Sequence, residues 1–320
     1  MLKKINNKQL LVALVLLIII VVVVMYSDDQ KGEKTFKTEL VNIDSASVTS
    51  FSIFFGSKKE DEMRLLKQQE SWKVQLKNNK LVPASQQMIA SLFHQVSTIK
   101  PTRLAGQDES TWKDFKVDTG GTRLKVMQGD KATADIIIGK FNYSQTKQSP
   151  ETFIRLVNEK EVYAMDGFFN LTFNKDIAGW REQSVIDGKP EDWTKLNFTY
   201  PSDSSYQLTK ENNKWKIAGM EVDSQKVKNY LQTLSHTRNP DFLDDINPAQ
   251  LSAPTFTLAI ETKDNKKLEV KAHPHPTYQY VISSSQNPES FFGMKKGNLI
   301  ESIFAGKSKF SVADTTSKKN

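Results

Sequence analysis

One short phrase occurs twice in this sequence. QESWKV at 69–74 and NNKWKI at 212–217 both lead from a polar turn into a tryptophan that alternating residues follow. Candidate strands precede each phrase, and a candidate helix comes after it. A phrase that returns together with its neighbouring elements predicts a duplicated domain. We expect Trp72 and Trp215 to be structural anchors over their sheets rather than ligand-stacking residues.

A second match gives the spacing of the repeat. The pattern Thr-x-x-Pro-x-x-Leu occurs at 98–104 and again at 237–243, an offset of 139 residues. Solenoid repeats are far shorter, at about 20–50 residues, so this spacing indicates whole domains. The sequence predicts one repeat at 36–186 and a second at 187–311, with the boundary within DGKPED (187–192).

Each predicted repeat contains a strand meander, a helix, a linker, more strands and a closing helix. Pro83 is expected to start the helix of the first repeat, and Asp223 or Ser224 to cap that of the second. The segment 168–180 is interpreted as a closing helix that ends at Gly179. Runs of strands with only one or two helices predict an α+β fold with mainly antiparallel sheets.

The N-terminal segment predicts a membrane anchor. Residues 10–26 contain no polar side chain before Tyr26, and 17 helical residues span roughly 26 Å, close to a hydrocarbon core. Lysines precede this run and aspartates follow it, which places the N-terminus in the cytoplasm and the body outside it. We therefore expect a cytoplasmic stub and transmembrane helix at 1–26, a polar tether at 27–35 and a disordered tail at 312–320.

A cleaved signal peptide is the alternative interpretation of the same segment. Its basic start fits, but the apolar run exceeds the usual h-region of about 7–15 residues and no A-x-A-like site follows. The sequence favours the uncleaved anchor. Both interpretations export the body of the protein.

Composition excludes several classes of function. The sequence has no cysteine, which excludes disulfides, thiolate metal sites and cysteine nucleophiles. The net charge is +7, but three bases precede the apolar run and the others are mixed with acids along the chain. No basic stripe marks a nucleic-acid footprint, so nucleic acid is not an expected partner.

Two histidines are the strongest candidates for metal ligands. His273 and His275 lie two apart in AHPHPTY, so an extended segment would place both on one face. No third ligand is obvious nearby, which favours a proline-stiffened strand end without metal. His94 and His236 are expected at surface or edge positions.

Other polar motifs predict no catalytic site. Adjacent acids at 60–61 and 244–245 read as solvated loops, and the glycines at 120–121 lack the rest of a phosphate-binding loop. No nucleophile elbow is present. The sequence therefore predicts no catalytic, cofactor-binding or metal-binding residues, and no enzyme. Phenylalanine pairs at 54–55, 168–169 and 291–292 each predict one exposed ring of a contact surface.

The two repeated units resemble a known family. Each runs from a polar turn into Trp-Lys-[Val/Ile], then a helix with a leucine or methionine face, then an exit that proline ends. The matching residues are Trp72, Lys73, Val74, Leu92 and Pro101, with Trp215, Lys216, Ile217, Leu231 and Pro240. This pattern, over most of residues 36–310, resembles the bacterial family of domains of unknown function numbered forty-three forty.

The resemblance implies a bacterial envelope protein. Some relatives occur beside, or look like parts of, the auxiliary component of the ABC transporter linked to gliding motility. The family has no established activity, so the resemblance implies no catalytic residues.

We expect a single-pass protein of the bacterial inner membrane with a periplasmic body. Its expected partners are the lipid bilayer, through the N-terminal helix, and another envelope protein. The leading hypothesis is a binding or scaffolding subunit, such as an accessory component of an ABC transporter. The alternatives are an envelope enzyme acting on glycan or peptide between the two repeats, and a carrier of lipid or another apolar ligand, which needs a large apolar cavity.

Overall fold

The computed structural model describes residues 14, 16–22, 36–56, 62–145, 148–173, 175–294 and 299–312. Residues 14 and 16–22 are helical and exposed, whereas the rest of the predicted anchor and the tether lie outside the described residues. Of the helices within the described ranges, none has the length and apolar character needed to cross a bilayer. The predicted tail lies outside them from residue 313 onward.

The first sheet has nine antiparallel strands in the order β4-β3-β2-β1-β6-β7-β8-β9-β5. Its strands are β1 (Ser50–Phe55), β2 (Glu62–Gln68), β3 (Ser71–Gln75), β4 (Leu81–Pro83), β5 (Arg103–Gly106), β6 (Thr122–Gln128), β7 (Lys131–Ser144), β8 (Ser149–Leu156) and β9 (Val162–Asp166). The accompanying helices are α1 (Gln86–Ser97), α2 (Trp112–Phe115), α3 (Asn170–Phe173) and α4 (Ile177–Trp180). Three of these helices are single turns, so α1 supplies the main helical layer.

The second sheet has eight strands in the order β14-β13-β12-β11-β16-β17-β18-β19, and β10 pairs separately with β15. The strands are β10 (Ser184–Asp187), β11 (Trp193–Thr199), β12 (Tyr206–Glu211), β13 (Lys214–Ile217), β14 (Met220–Glu221), β15 (His236–Arg238), β16 (Phe256–Thr262), β17 (Lys267–His275), β18 (Gln279–Ser284) and β19 (Phe291–Phe292). The helices are α5 (Ser224–Leu234) and α6 (Leu299–Ile303). Mainly antiparallel sheets with a few helices are confirmed. Strands β11 to β14 and β16 to β19 occupy the same order as β1 to β4 and β6 to β9.

The two longer helices begin at polar caps. The Ser85 side chain accepts a hydrogen bond from the Met88 amide before α1, and the Asp223 side chain caps α5 as predicted. Pro83 does not start the first helix. It lies at the end of β4, opposite Lys73, where a residue without an N–H group is tolerated at a sheet edge.

The predicted closing helix at 168–180 is divided in two. Helix α3 ends at Phe173, and α4 begins after Asp176, whose side chain accepts a hydrogen bond from the Gly179 amide. Gly179 therefore lies inside a helical turn and does not terminate it. The second turn buries Trp180 completely, which explains why the chain restarts a helix there.

Each sheet packs one face on a hydrophobic core, with residues 40–180 in one cluster and 185–310 in the other. Trp72 is buried beside Phe51 and Phe93, with ring centroids 5.3 and 5.7 Å away, so its core position is confirmed. Trp215 is only half-buried, and the Lys210 ammonium lies 6.0 Å from its ring.

A smaller cluster covers the opposite face of each sheet. In the first sheet, Val117 and α2 pack on Phe153 and Val162. In the second, Leu243 and its neighbours pack on Val281. The chain segments that follow α1 and α5 thus cover equivalent outer faces, and these faces differ in their polar residues.

Candidate functional site

A buried arginine joins the two halves of the chain. Arg181 is 2% exposed, and its Nη1 lies 2.9 Å from both carboxylate oxygens of Asp244. Its guanidinium stands 3.5 Å from the centroid of the Phe242 ring. Burial lowers the pKa of Arg181, and the carboxylate of Asp244 opposes that shift. The ion pair therefore occupies the junction, although Nε of Arg181 is buried there without a partner among the described residues.

A second ion pair closes the same junction. Lys73, the lysine that follows Trp72, places Nζ 3.0 Å from both carboxylate oxygens of Glu289. Lys80 donates to the main-chain oxygen of Glu289. In the Trp-Lys-Val segment, Trp72 therefore packs in the first core while Lys73 contacts the second half.

An exposed aromatic cluster lies at the tip of the long hairpin of β7 and β8, with one ring contributed by the segment after β9. Phe141, Tyr143 and Phe168 are 46%, 55% and 45% exposed. The rings of Phe141 and Phe168 meet edge to face, with centroids 5.3 Å apart. In the described body from residue 36 onward, only Met220 and Val312 are other large apolar side chains of such exposure. Three such rings on one surface are typical of a contact site.

The hairpin that carries this cluster is the longer of two equivalent ones. β7 has 14 residues and β8 has eight, whereas β17 has nine and β18 has six. Phe141 and Tyr143 lie on the same side of β7 because they are two residues apart. Lys37 contacts Glu159 at the turn between β8 and β9, which is the other end of the sheet.

The three phenylalanine pairs differ in how far their rings are exposed. Phe168 is exposed while its neighbour is buried, as expected for the pair at 168–169. Both rings of 291–292 are buried, because β19 lies between β18 and the segment after α5, so that prediction was wrong. Both rings of 54–55 are half-buried.

The two candidate metal ligands form hydrogen bonds with other groups of the protein. His273 is buried, with Nδ1 2.8 Å from the Ser252 main-chain oxygen and Nε2 3.2 Å from Ser283 Oγ. The Nδ1 of His275 accepts from the Thr277 amide. Among the described residues, no three or more His, Cys, Asp or Glu side chains lie together in a way that could hold a metal ion. The structure gives His273 hydrogen bonds that fix a strand to the loop beside it.

The remaining polar candidates are also separate from one another. Asp244 is bound to Arg181, and Asp245 accepts from the Tyr278 hydroxyl, which raises the pKa of Tyr278. His236 is exposed at the start of β15, and His94 lies on α1. The acids at 60–61 lie outside the described residues.

The glycines at 120–121 lie where the main chain packs closely against neighbouring main-chain atoms. A Cβ on Gly121 would stand 2.5 Å from the main-chain oxygen of Lys116. Asp118 accepts a hydrogen bond from the Gly120 amide. These contacts hold the loop against β7, so the pair is explained by packing.

Two residues of the candidate sites, Arg155 and Arg181, are absent from the sequence-based predictions. Arg155 stands alone in the apolar strand TFIRLVN, which was the available signal, since a charged residue inside a buried strand needs a partner. Arg181 follows a segment that was interpreted as the end of one helix. Nothing in its local pattern indicated that its partner would be 63 residues further on.

These features define a protein of two antiparallel sheets with a closed junction and one hairpin tipped with exposed aromatic rings. The chain belongs to the family described as Domain of unknown function (DUF4340), whose family model matches residues 72–254. The match confirms the predicted family. No curated protein and no solved structure matches the chain.

Proposed function

We propose that this protein is a membrane-anchored, extracytoplasmic subunit of a bacterial envelope complex that acts by binding another protein. The apolar run at 10–26 and its flanking charges support the anchor and its orientation. The observation that carries the binding role is the exposed cluster of Phe141, Tyr143 and Phe168. An accessory component of an ABC transporter is the particular assembly that the family resemblance favours.

The position of the cluster favours a protein partner over the bilayer. Lys37 follows the predicted tether and contacts the turn after β8, whereas the cluster lies near the turn before β8. An anchored body would therefore hold its tether end near the membrane and its aromatic tip away from it. Phe and Tyr are enriched at the centres of protein interfaces.

We also propose that the two sheets arose by duplication of one domain. The shared strand order and the equivalent places of α1 and α5 support this origin. Under this proposal, the contacts of Arg181 restrain one half of the protein against the other. A fixed junction presents the hairpin tip in one orientation.

The alternative hypotheses have weaker support. An enzyme between the repeats needs free acids or histidines there, but Arg181 and Asp244 bind each other. A carrier of apolar ligands needs an apolar cavity, but both of the larger cavities have charged walls. Glu62 and Arg64 line the cavity of about 730 Å³ near β2 and β3, and Glu211 and Lys216 line one of about 800 Å³ near β12 and β13. Charged walls disfavour a lipid chain.

The test compares full-length protein purified from native membranes with two variants. The double variant Phe141→Ser/Phe168→Ser removes two rings of the cluster. Met220→Ser is the matched control, since Met220 is 61% exposed on the other half. We expect the native protein and the control to recover the same partner reproducibly, and the double variant to lose it. Purification of that partner should in turn recover the native protein.

Two results would count against the proposal. One is recovery of the native protein as an isolated monomer. The other is a double variant that keeps the same partner at the same yield. Equal melting temperatures of the three proteins would establish that the change is one of binding.

A further inference from the structure

The outer face of the first sheet contains a small cavity beside the buried Arg155. The cavity has a volume of about 270 Å³ and lies between the end of β1, the loop after α2 and β8. Its wall includes two aromatic rings and two guanidinium groups, from Phe54, Trp112, Arg123 and Arg155. Nothing in the proposed binding role uses this cavity.

Arg155 is held rigidly by main-chain oxygens. Its Nε donates to the Val117 oxygen at 3.0 Å. Its Nη1 donates to the oxygens of Leu156, Val157 and Glu159 at 3.0–3.1 Å. The guanidinium also lies 3.7 Å from the ring centroid of Trp112. These contacts orient the group before any ligand arrives.

One nitrogen of this guanidinium, Nη2, has no hydrogen-bond partner among the described residues. Arg155 is 5% exposed, and its Nη2 donates to no group of the described residues. No carboxylate of those residues forms an ion pair with it. Asp118 lines the cavity, but it accepts a hydrogen bond from the Gly120 amide. Burial lowers the pKa of Arg155, and the carboxylates of Glu109 and Asp118, which act without an ion-pair contact, oppose that shift.

The unpaired Nη2 is not fully buried, so a solute can reach it at the cavity. The same arrangement suits the recognition of a carboxylate, which accepts strong charge-assisted hydrogen bonds from arginine. The second arginine does not compete for this role. Arg123 binds both oxygens of Asp135 and lies 5.4 Å from the Phe54 ring centroid. Its charge is therefore balanced by Asp135, and it only lines the cavity.

We propose that this cavity binds a small organic carboxylate, with the carboxylate on Nη2 of Arg155 and a flat apolar body against Trp112 and Phe54. The volume suits a ligand below drug size. The second sheet offers an internal contrast. On its outer face, Ser283 and His273 bind each other and His273 also binds the Ser252 oxygen, so no cationic edge is left there.

Benzoate is the probe, because it combines a carboxylate with a flat apolar ring. Titration into the full-length protein, followed by saturation-transfer NMR, should give saturable binding, whereas the neutral analogue benzyl alcohol should give none. Arg155→Lys should weaken benzoate binding about tenfold or more, since a point charge cannot reproduce the planar donor edge. His273→Gln on the other sheet should leave it unchanged.

A second variant protects the test against loss of folding. Thr119 is exposed and lines the cavity without bonding to Arg155, so Thr119→Phe should block the cavity in a folded protein. We expect Thr119→Phe to abolish benzoate binding with little change in melting temperature. The absence of saturable benzoate binding to the native protein would overturn the proposal, and so would equal binding by the native protein and Thr119→Phe. Neither outcome depends on the aromatic cluster.

Discussion

The two sheets share a strand order, but their outer features differ. The first sheet carries the longer hairpin with Phe141 and Phe168 and a buried cation, Arg155, beside a cavity. The second carries a shorter hairpin and a histidine whose two ring nitrogens are both occupied. Features common to both halves are explained by packing. Features present in only one half are the candidates for function.

The same contrast applies to the repeated tryptophans. Trp72 touches two other rings in the core, whereas Trp215 is half-buried beside Lys210. A residue type repeated in sequence therefore need not make an equal contribution in both places. Its energetic role depends on how many neighbours surround it after folding.

The largest expected effect separates these two tryptophans. Trp72→Ala should lower the free energy of unfolding by about 3–5 kcal/mol, because it empties a buried aromatic site. Trp215→Ala should cost about 1–2 kcal/mol, since its ring already contacts solvent. Urea denaturation followed by circular dichroism measures both values. Equal losses would contradict the assignment of Trp72 as the stronger anchor.

Breaking the junction should have the next largest effect. Arg181→Ala removes the buried partner of Asp244 and the contact with Phe242, so we expect a loss of about 2–4 kcal/mol. Lys214→Ala removes an exposed ion pair with Glu221 and should leave the stability nearly unchanged. Native-state hydrogen exchange should also show the two halves of the Arg181→Ala variant opening separately. Unchanged joint protection would contradict the junction's coupling role.

Alkaline pH should affect the second half more steeply. Burial raises the pKa of Tyr163 to about 12 in the first half, and raises those of Tyr206 and Tyr230 above their ordinary value in the second. A folded phenol with a raised pKa contributes stability below pH about 10 that is lost as pH rises toward the folded value. Each such group adds a slope of about 1.4 kcal/mol per pH unit.

Hydrogen exchange of peptides from each half, measured as pH rises from about 10 to 12, checks this difference. The second half should lose protection with about three times the slope of the first, because burial raises the pKa of Tyr200 there as well. Tyr230→Phe should reduce the slope of the second half, because the hydroxyl that donates to the Ile303 oxygen is then absent. Parallel loss in both halves would contradict the expectation.

The smallest expected effect on stability is at the aromatic tip. Phe141→Ser should change the free energy of unfolding by about 0.5 kcal/mol or less, since the ring is 46% exposed and lies away from the main core. Thermal melting measures it. A loss of several kcal/mol would mean that the cluster stabilises the fold and is not a free contact surface.

Periodicity in the sequence predicts most of the strands, because alternating side chains on a half-buried sheet are a local signal. Trp72 and Trp215, with the alternating residues that follow them, lie in β3 and β13. The Asp223 cap was predictable for the same reason, since its hydrogen bonds reach only Gln225 and Lys226. The single-turn helices α3 and α4 were not, because burial of Trp180 interrupts the local pattern.

The functional features depended on contacts that no local pattern contains. Arg181 and Asp244 are 63 residues apart, and the ring of Trp112 comes to Arg155 from a separate segment. The sequence predicted that one ring of the pair at 168–169 is exposed. It could not predict the contact of Phe168 with Phe141, because that contact requires the segment after β9 to meet the hairpin. Long-range packing therefore determines the candidate sites.

Site-specific photocrosslinking in native membranes tests the central claim most directly. A photoreactive phenylalanine analogue at Phe168 probes the tip of the first half, and the same analogue at Thr277 probes the exposed tip of the equivalent hairpin in the second. We expect a discrete crosslink to one envelope protein from position 168 and none from position 277. Crosslinks of equal yield from both positions, or none from 168, would contradict it.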